Sequence, residues 1–171
     1  MTGHTGFKGS WLCQWLIKLG ADIMGYSLAP KTNPNHFNVL AMEMKSIIND
    51  LRDYQALFKI FKEFKPEVVF HLGAQPSVLV SYDESIETFS SNIMGTANIL
   101  EACKHMPSVQ AVVIVTTDKC YENREDREYG YRENDRLGGH DPYSASKACS
   151  ELVTASYRQS FFDTNKSNKL K

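Results

Sequence analysis

The segment Gly3-His4-Thr5-Gly6-Phe7-Lys8-Gly9 spaces three glycines evenly and runs straight into an amphipathic helical pattern. A glycine turn at a helix N-terminus lets a pyrophosphate reach backbone N–H groups, because no Cβ holds it away. The last glycine lets the helix pack close to the strand it follows. The spacing predicts a dinucleotide-binding turn preceded by a strand. Only Met1 and Thr2 stand before Gly3. About five or six more strand residues are therefore expected there, and the chain reads as cut short at its start.

The rest of the chain alternates helical and extended patterns. Residues 10–19 place Trp11, Leu12, Trp15, Leu16 and Leu19 on one helical face, with Gly20 as the stop. Residues 22–28 read as a strand, 30–36 as a loop rich in Pro and Asn, and 45–50 as a second strand. Residues 53–64 align Leu57, Phe58, Phe61 and Phe64, and Pro66 ends that helix. The apolar runs 68–72 and 111–115 read as strands covered on both faces. A long helix is expected over 85–105, weakened by Gly95, and a last one over 142–161. This alternation predicts a parallel sheet wound in βαβ units, with ligands beyond the carboxyl ends of its strands. A dinucleotide-binding domain is expected over 1–162, truncated, and a frayed polar tail over 163–171.

Composition excludes other classes. The 19 basic and 20 acidic residues leave a net charge of −1, against a nucleic-acid partner. No apolar run is long enough to span a bilayer and no signal peptide is visible, so neither a membrane nor secretion is expected. Cys13, Cys103, Cys120 and Cys149 are scattered and read as reduced cytoplasmic thiols. The five histidines are scattered too, so no metal site is expected.

Two clusters carry chemistry. Tyr143 and Lys147 lie one helical turn apart, where an ammonium can stabilise tyrosinate and make the phenol a usable base. Alone, such a pair is often an inconsequential helical one. The strand over 111–115, however, ends in Thr116-Thr117-Asp118-Lys119, where such a sheet presents its ligands. Thr117 can donate to a sugar hydroxyl or to the phenolate, and Asp118 and Lys119 can form an acid/base pair. At the second-strand end, Gly25-Tyr26-Ser27-Leu28 offers neither an acid for a ribose nor an Arg for a 2′-phosphate. Asp22 reads as a solvated strand-entry residue, which leaves the ribose to Ser27 or to backbone in the next loop.

These segments, with His71-Leu72-Gly73-Ala74-Gln75-Pro76 and Tyr143-Ser144-Ala145-Ser146-Lys147, resemble the extended short-chain dehydrogenase/reductases. Within them they resemble the CDP-glucose 4,6-dehydratases, to about Phe162. The Asp118-Lys119 pair is the discriminating part, since dTDP-glucose dehydratases carry Asp-Glu there. The resemblance implies a Rossmann-like doubly wound α/β sheet, incomplete at its first strand and lacking the C-terminal substrate-binding part. It implies NAD as cofactor, CDP-glucose as substrate, and homo-oligomers through the helices near 90–105 and 143. Gly3, Thr5, Gly6, Phe7 and Gly9 would surround the pyrophosphate, and Asp50 and Leu51 the adenine. Leu72, Ala74 and Gln75 would line the nicotinamide side, and Thr116 would touch the cofactor.

The resemblance also assigns catalytic roles. Tyr143 would take the 4-hydroxyl proton, Lys147 would hold the nicotinamide ribose and depress the Tyr143 pKa, and Thr117 would orient the 4-oxygen. Lys119, with a pKa depressed by desolvation, would remove the C5 proton, and Asp118 would protonate the departing 6-hydroxyl. The product would be CDP-4-keto-6-deoxyglucose. A related epimerase or decarboxylase, and a non-catalytic dinucleotide-binding fragment, are the competing interpretations. The purified 171-residue chain is expected to dehydrate little or no CDP-glucose; measurable product formation would contradict this.

Overall fold

The computed structural model describes residues 1–124 and 130–162; the expected tail over 163–171 lies outside the described residues. They form two compact units, Met1–Gly73 with Glu101–Val115, and Ala74–Leu100 with the described residues from Thr116 on. Among the described residues no helix is long and apolar enough to cross a membrane, and no cluster of His, Cys, Asp or Glu could hold a metal.

The first unit runs α1 (Phe7–Lys18), β1 (Met24–Ser27), α2 (His36–Leu40), β2 (Lys45–Ile48), α3 (Tyr54–Phe64), β3 (Val68–His71) and β4 (Ala111–Ile114). Both strand pairs are parallel, as the βαβ pattern requires: Met24 faces Lys45 and Val68 faces Ala111. Between β1 and β3 stand only Met1 and Thr2, and Thr2 bridges in parallel to both Tyr26 and His71. The Thr2 N–H donates to the Phe70 carbonyl at 2.9 Å, and the Tyr26 N–H to the Met1 carbonyl at 3.0 Å. The order is therefore β2, β1, the Met1-Thr2 stub, β3, β4. The strand expected before Gly3 is reduced to that stub.

Local chemistry explains most boundaries. Asp53 caps α3 by accepting the Ala56 N–H at 3.0 Å. Lys65, at φ 52°, turns the chain out of the helix just before Pro66. The α3 stripe buries Leu57 and Phe61 against a core that includes Cys13, Tyr26, Val69 and Cys103. Asp22 is indeed solvated, 3.8 Å from Lys45.

Three expectations need correction. The α1 apolar stripe does not form the core: Trp11, Trp15 and Leu19 are more than half exposed, and the buried face is Gly9, Ser10 and Cys13. Small residues win that face because the helix start packs directly on the turn; a Cβ at Gly9 would overlap the Gly3 carbonyl oxygen. Residues 30–36 lead into a helix as well as a loop, since Asn35 caps α2 by accepting the Asn38 N–H at 2.8 Å. The runs at β3 and β4 are not covered on both faces. Val68 and Val113 are 47% and 43% exposed.

The second unit contains α4 (Val78–Asp83), α5 (Ser85–Phe89), a π turn (Ser90–Met94), α6 (Gly95–Lys104, whose last turn belongs to the first unit), a 3₁₀ turn (Asp118–Cys120) and α7 (Pro142–Tyr157). The long helix expected over 85–105 is thus continuous but wound one residue wider just before Gly95. That π turn buries Asn92. Its amide accepts the Gln75 N–H at 2.8 Å and donates to the Ser146 hydroxyl at 2.8 Å, while its carbonyl accepts the Ser150 hydroxyl at 3.0 Å. These bonds fix α7 through its small buried face, Ser144, Ser146, Ala148 and Ser150.

Gly9→Ala is expected to destabilise the first unit by at least about 3 kcal/mol, since backbone rather than a movable side chain blocks the new methyl. Chemical denaturation followed by circular dichroism measures it.

Candidate active site

In the first unit the glycine turn is built as the spacing predicts. Gly3 adopts φ +71°, and a Cβ there would sit 2.7 Å from the Gly73 nitrogen. Gly6 is exposed and forms the N-cap of α1 with no side-chain cap, so the first amides of a 12-residue helix stay open to a ligand. Phe7 is exposed beside it. Thr5 points inward: its hydroxyl donates to the Leu28 carbonyl at 2.8 Å and lies 2.8 Å from the Ser27 hydroxyl. Ser27 is thereby engaged and buried, which leaves the loop backbone as the sequence-level candidate for a ribose.

His4 also turns inward, with Nε2 2.7 Å from the Ser46 hydroxyl and its ring over Gly25, where a Cβ would come within 2.5 Å. Burial first, and the Met1 ammonium second, push its pKa down to about 4. Asp50 pairs with Arg52 at 2.5 Å, and that hydrogen-bonded guanidinium holds its carboxyl below the usual range. Leu51 packs beside Gly73, and the Leu72 N–H donates to the Thr2 carbonyl at 3.3 Å.

In the second unit the strand exit and α7 bring four of the expected residues together. Tyr143 and Lys147 are buried, at 9% and 7% exposure, on the face of α7 turned to Asp118–Cys120. Thr117 lies close enough to the Tyr143 hydroxyl to lower its pKa. The Thr117 hydroxyl also donates to Asp118 at 3.0 Å. Asp141 caps α7 through the Ser144 N–H at 2.9 Å and the Ser144 hydroxyl at 2.6 Å, fixing the helix start one turn before Lys147.

Gln75 joins this unit with its side chain fully engaged. Its amide donates to Thr88 at 2.7 Å and accepts the Ser77 N–H at 2.6 Å. Ala74 beside it is half-buried.

Residues 1–165 match the family model described as GDP-mannose 4,6 dehydratase. The chain belongs to that family. It is similar to CDP-glucose 4,6-dehydratase of Salmonella typhimurium, 52% identical across 95% of this chain and 46% of that protein. It is 31% identical to dTDP-D-glucose 4,6-dehydratase of Dictyostelium discoideum across 94% of this chain and 40% of the relative. Among solved structures, UDP-glucose 4-epimerase of Thermus thermophilus in complex with NAD superposes with a TM-score of 0.80 at 29% identity, covering 94% of this chain and 50% of that one. The chain spans about half the length of these relatives.

Electrostatics in this family member differ from the sequence expectation at Tyr143. Burial raises the Tyr143 pKa, Thr117 opposes it, and Asp118 and Asp141 add to the rise. The phenol is therefore held protonated here rather than depressed, and Lys147 does not reverse that. Lys119 is exposed at the same strand exit. Two residues escaped the sequence analysis. Glu151, one turn beyond Lys147, accepts the Thr116 hydroxyl and faces the Lys147 ammonium; its signal was the i+4 spacing from Lys147. Asn92 gave none, because its role depends on the π turn.

Burial pushes the Lys147 pKa down to about 8 from 10.5, partly opposed by Glu151. Below pH 8 the folded unit carries a buried charge that the unfolded chain solvates freely. Between pH 8 and 10.5 the unfolded chain binds more protons, so this penalty fades as pH rises. Lys147→Met is expected to gain up to about 3 kcal/mol over the parent below pH 8, shrinking to nothing near pH 10.5. Urea melts across that range test it.

Proposed function

We propose that these residues belong to a cytoplasmic NAD-dependent nucleotide-sugar 4,6-dehydratase that converts CDP-glucose to CDP-4-keto-6-deoxyglucose. The observation that carries the proposal is the Tyr143 hydroxyl beside Thr117 and Asp118, with Lys147 buried one turn along the same helix. The 52% identity to a CDP-glucose 4,6-dehydratase supports that substrate over other sugar nucleotides.

The open amides after Gly6 and the tight glycines at 3 and 9 fit a dinucleotide pyrophosphate, with Thr5 and Phe7 framing the turn. Asp50 and Leu51 would meet the adenine; Leu72, Ala74, Gln75 and Thr116 would line the nicotinamide side. NAD, when bound, supplies hydride acceptance from C4 and hydride return to C6. The chain's own residues move the protons. Tyr143 takes the 4-hydroxyl proton, with Thr117 holding the 4-oxygen. The Lys147 ammonium favours the phenolate against the burial that keeps the phenol protonated, and anchors the ribose. Once C4 is a ketone the C5 proton is acidic, and Lys119, as neutral amine, removes it. Asp118, as carboxylic acid, protonates the departing 6-hydroxyl, which leaves as water. Elimination needs both members of that pair, whereas C4 epimerisation needs neither.

A homo-oligomer is part of the proposal. Met94 and Leu152 in the second unit are more than half exposed, on the helices expected to meet a second copy.

The test uses a full-length enzyme bearing this segment and CDP-glucose deuterated at C4. Loss of one water with deuterium recovered at C6 is expected; deuterium retained at C4, with no water lost, would sink the dehydratase and favour an epimerase. Tyr143→Phe is expected to lower kcat by about 10³-fold while leaving NAD affinity largely intact.

A further inference from the structure

Lys147 stands on the buried face of α7, at 7% exposure, where an ammonium is costly unless a carboxylate answers it. Glu151, one turn further along the helix, supplies that carboxylate. It does not trail into solvent as a helical acid at this spacing could. Its carboxylate accepts the Thr116 hydroxyl at the strand exit. The same charge reaches Cys120, whose thiol is raised first by burial and then by Glu151. The carboxylate therefore lies between the strand exit and α7.

The other titratable groups on the elements packed against α7 are exposed or otherwise engaged. Asp118 and Lys119 of the 3₁₀ turn are exposed, and the Asp118 charge acts on Tyr143 and Cys120. Asp83 of α4 and Glu84 before α5 are exposed, and Glu87 of α5 accepts the Ser91 hydroxyl at 3.4 Å. The buried residues of α5 and the π turn are Thr88 and Asn92, both uncharged. Asp141 is bonded to Ser144, and Arg158 beyond α7 is exposed.

We propose that Glu151 is a positioning residue for Lys147. Pinned by Thr116, its carboxylate keeps the buried lysine in its ammonium form on the face it shares with Tyr143. The consequence for Tyr143 as a base rests on the dehydratase reading; the charge held on Lys147 does not. Removing the carboxylate leaves burial unopposed, so Lys147 then gives up its proton at lower pH.

The test compares Glu151→Gln, Glu151→Asp and Thr116→Val in the full-length enzyme bearing this segment. Without substrate, the Lys147 side-chain carbon resonance, assigned by its loss in Lys147→Met, follows the titration. Glu151→Gln keeps an acceptor for Thr116 and is expected to move that titration down by about one pH unit. With CDP-glucose and NAD, its kcat/KM is expected to fall about fivefold at pH 8 and less than about twofold at pH 6. Glu151→Asp is expected to restore both. Thr116→Val is expected to move the titration in the same direction by less. An unmoved Lys147 titration in Glu151→Gln would overturn the proposal. So would an equal loss of kcat/KM at both pH values, which is what a merely structural glutamate would give. Thr116→Val indistinguishable from the parent would overturn the anchor. The titration is read without turnover, so its outcome is independent of the deuterium test.

Discussion

Two parallel strand pairs share one short piece of backbone. β1 with β2, and β3 with β4, have no direct bond across the middle; each reaches the other through Met1 and Thr2. The glycine turn inherits its position from that stub. The Gly3 N–H donates to the Tyr26 carbonyl at 3.2 Å, and the Thr2 hydroxyl, 2.7 Å from His71 Nδ1, accepts the Gly73 N–H at 3.1 Å. The Cβ-free approach of Gly3 to Gly73 then sets where α1 begins. Registration of the strands and presentation of open helix amides are consequences of one set of hydrogen bonds.

The second unit solves a different problem, which is to keep a tyrosine and a lysine buried on one helix. It does so with polar groups. Asn92, Thr96, Ser146 and Ser150 pack α7 through hydroxyl and amide bonds, and small side chains let the helices approach closely. Glu151 ties the strand exit at Thr116 to the helix that carries Lys147. The resulting field favours a protonated phenol and a readily deprotonated lysine, so the groups added by ligands decide when Tyr143 can act as a base.

Much of this was legible in the sequence where chemistry is local. Glycine spacing, the Asp53 cap, the Pro66 stop and the Tyr143–Lys147 turn depend on neighbours a few residues away. The α1 stripe was misleading because periodicity marks an apolar face without saying which face the turn can accommodate; Gly9 and Ser10 settled that by size. The strands at Val68 and Val113 were expected to be covered because an apolar run does not reveal whether another element lies over it. Glu151 resembled any solvated helical acid, and Asn92 an ordinary polar helix residue. The raised Tyr143 pKa depends first on the burial of its hydroxyl and then on Asp118 and Asp141 nearby, none of which a spacing encodes.

The widened turn at Ser90–Met94 sets the phase of everything wound after it. One residue in an α-helix advances the side-chain direction by about 100°. Shortening the turn by one residue would rotate Ile99 and Leu100, now fully buried, away from their packing while α5 stayed in place. The bulge thus works as a vernier between two helical segments: the same sequence on either side can satisfy two different surfaces only because the thread between them is cut to a coarser pitch.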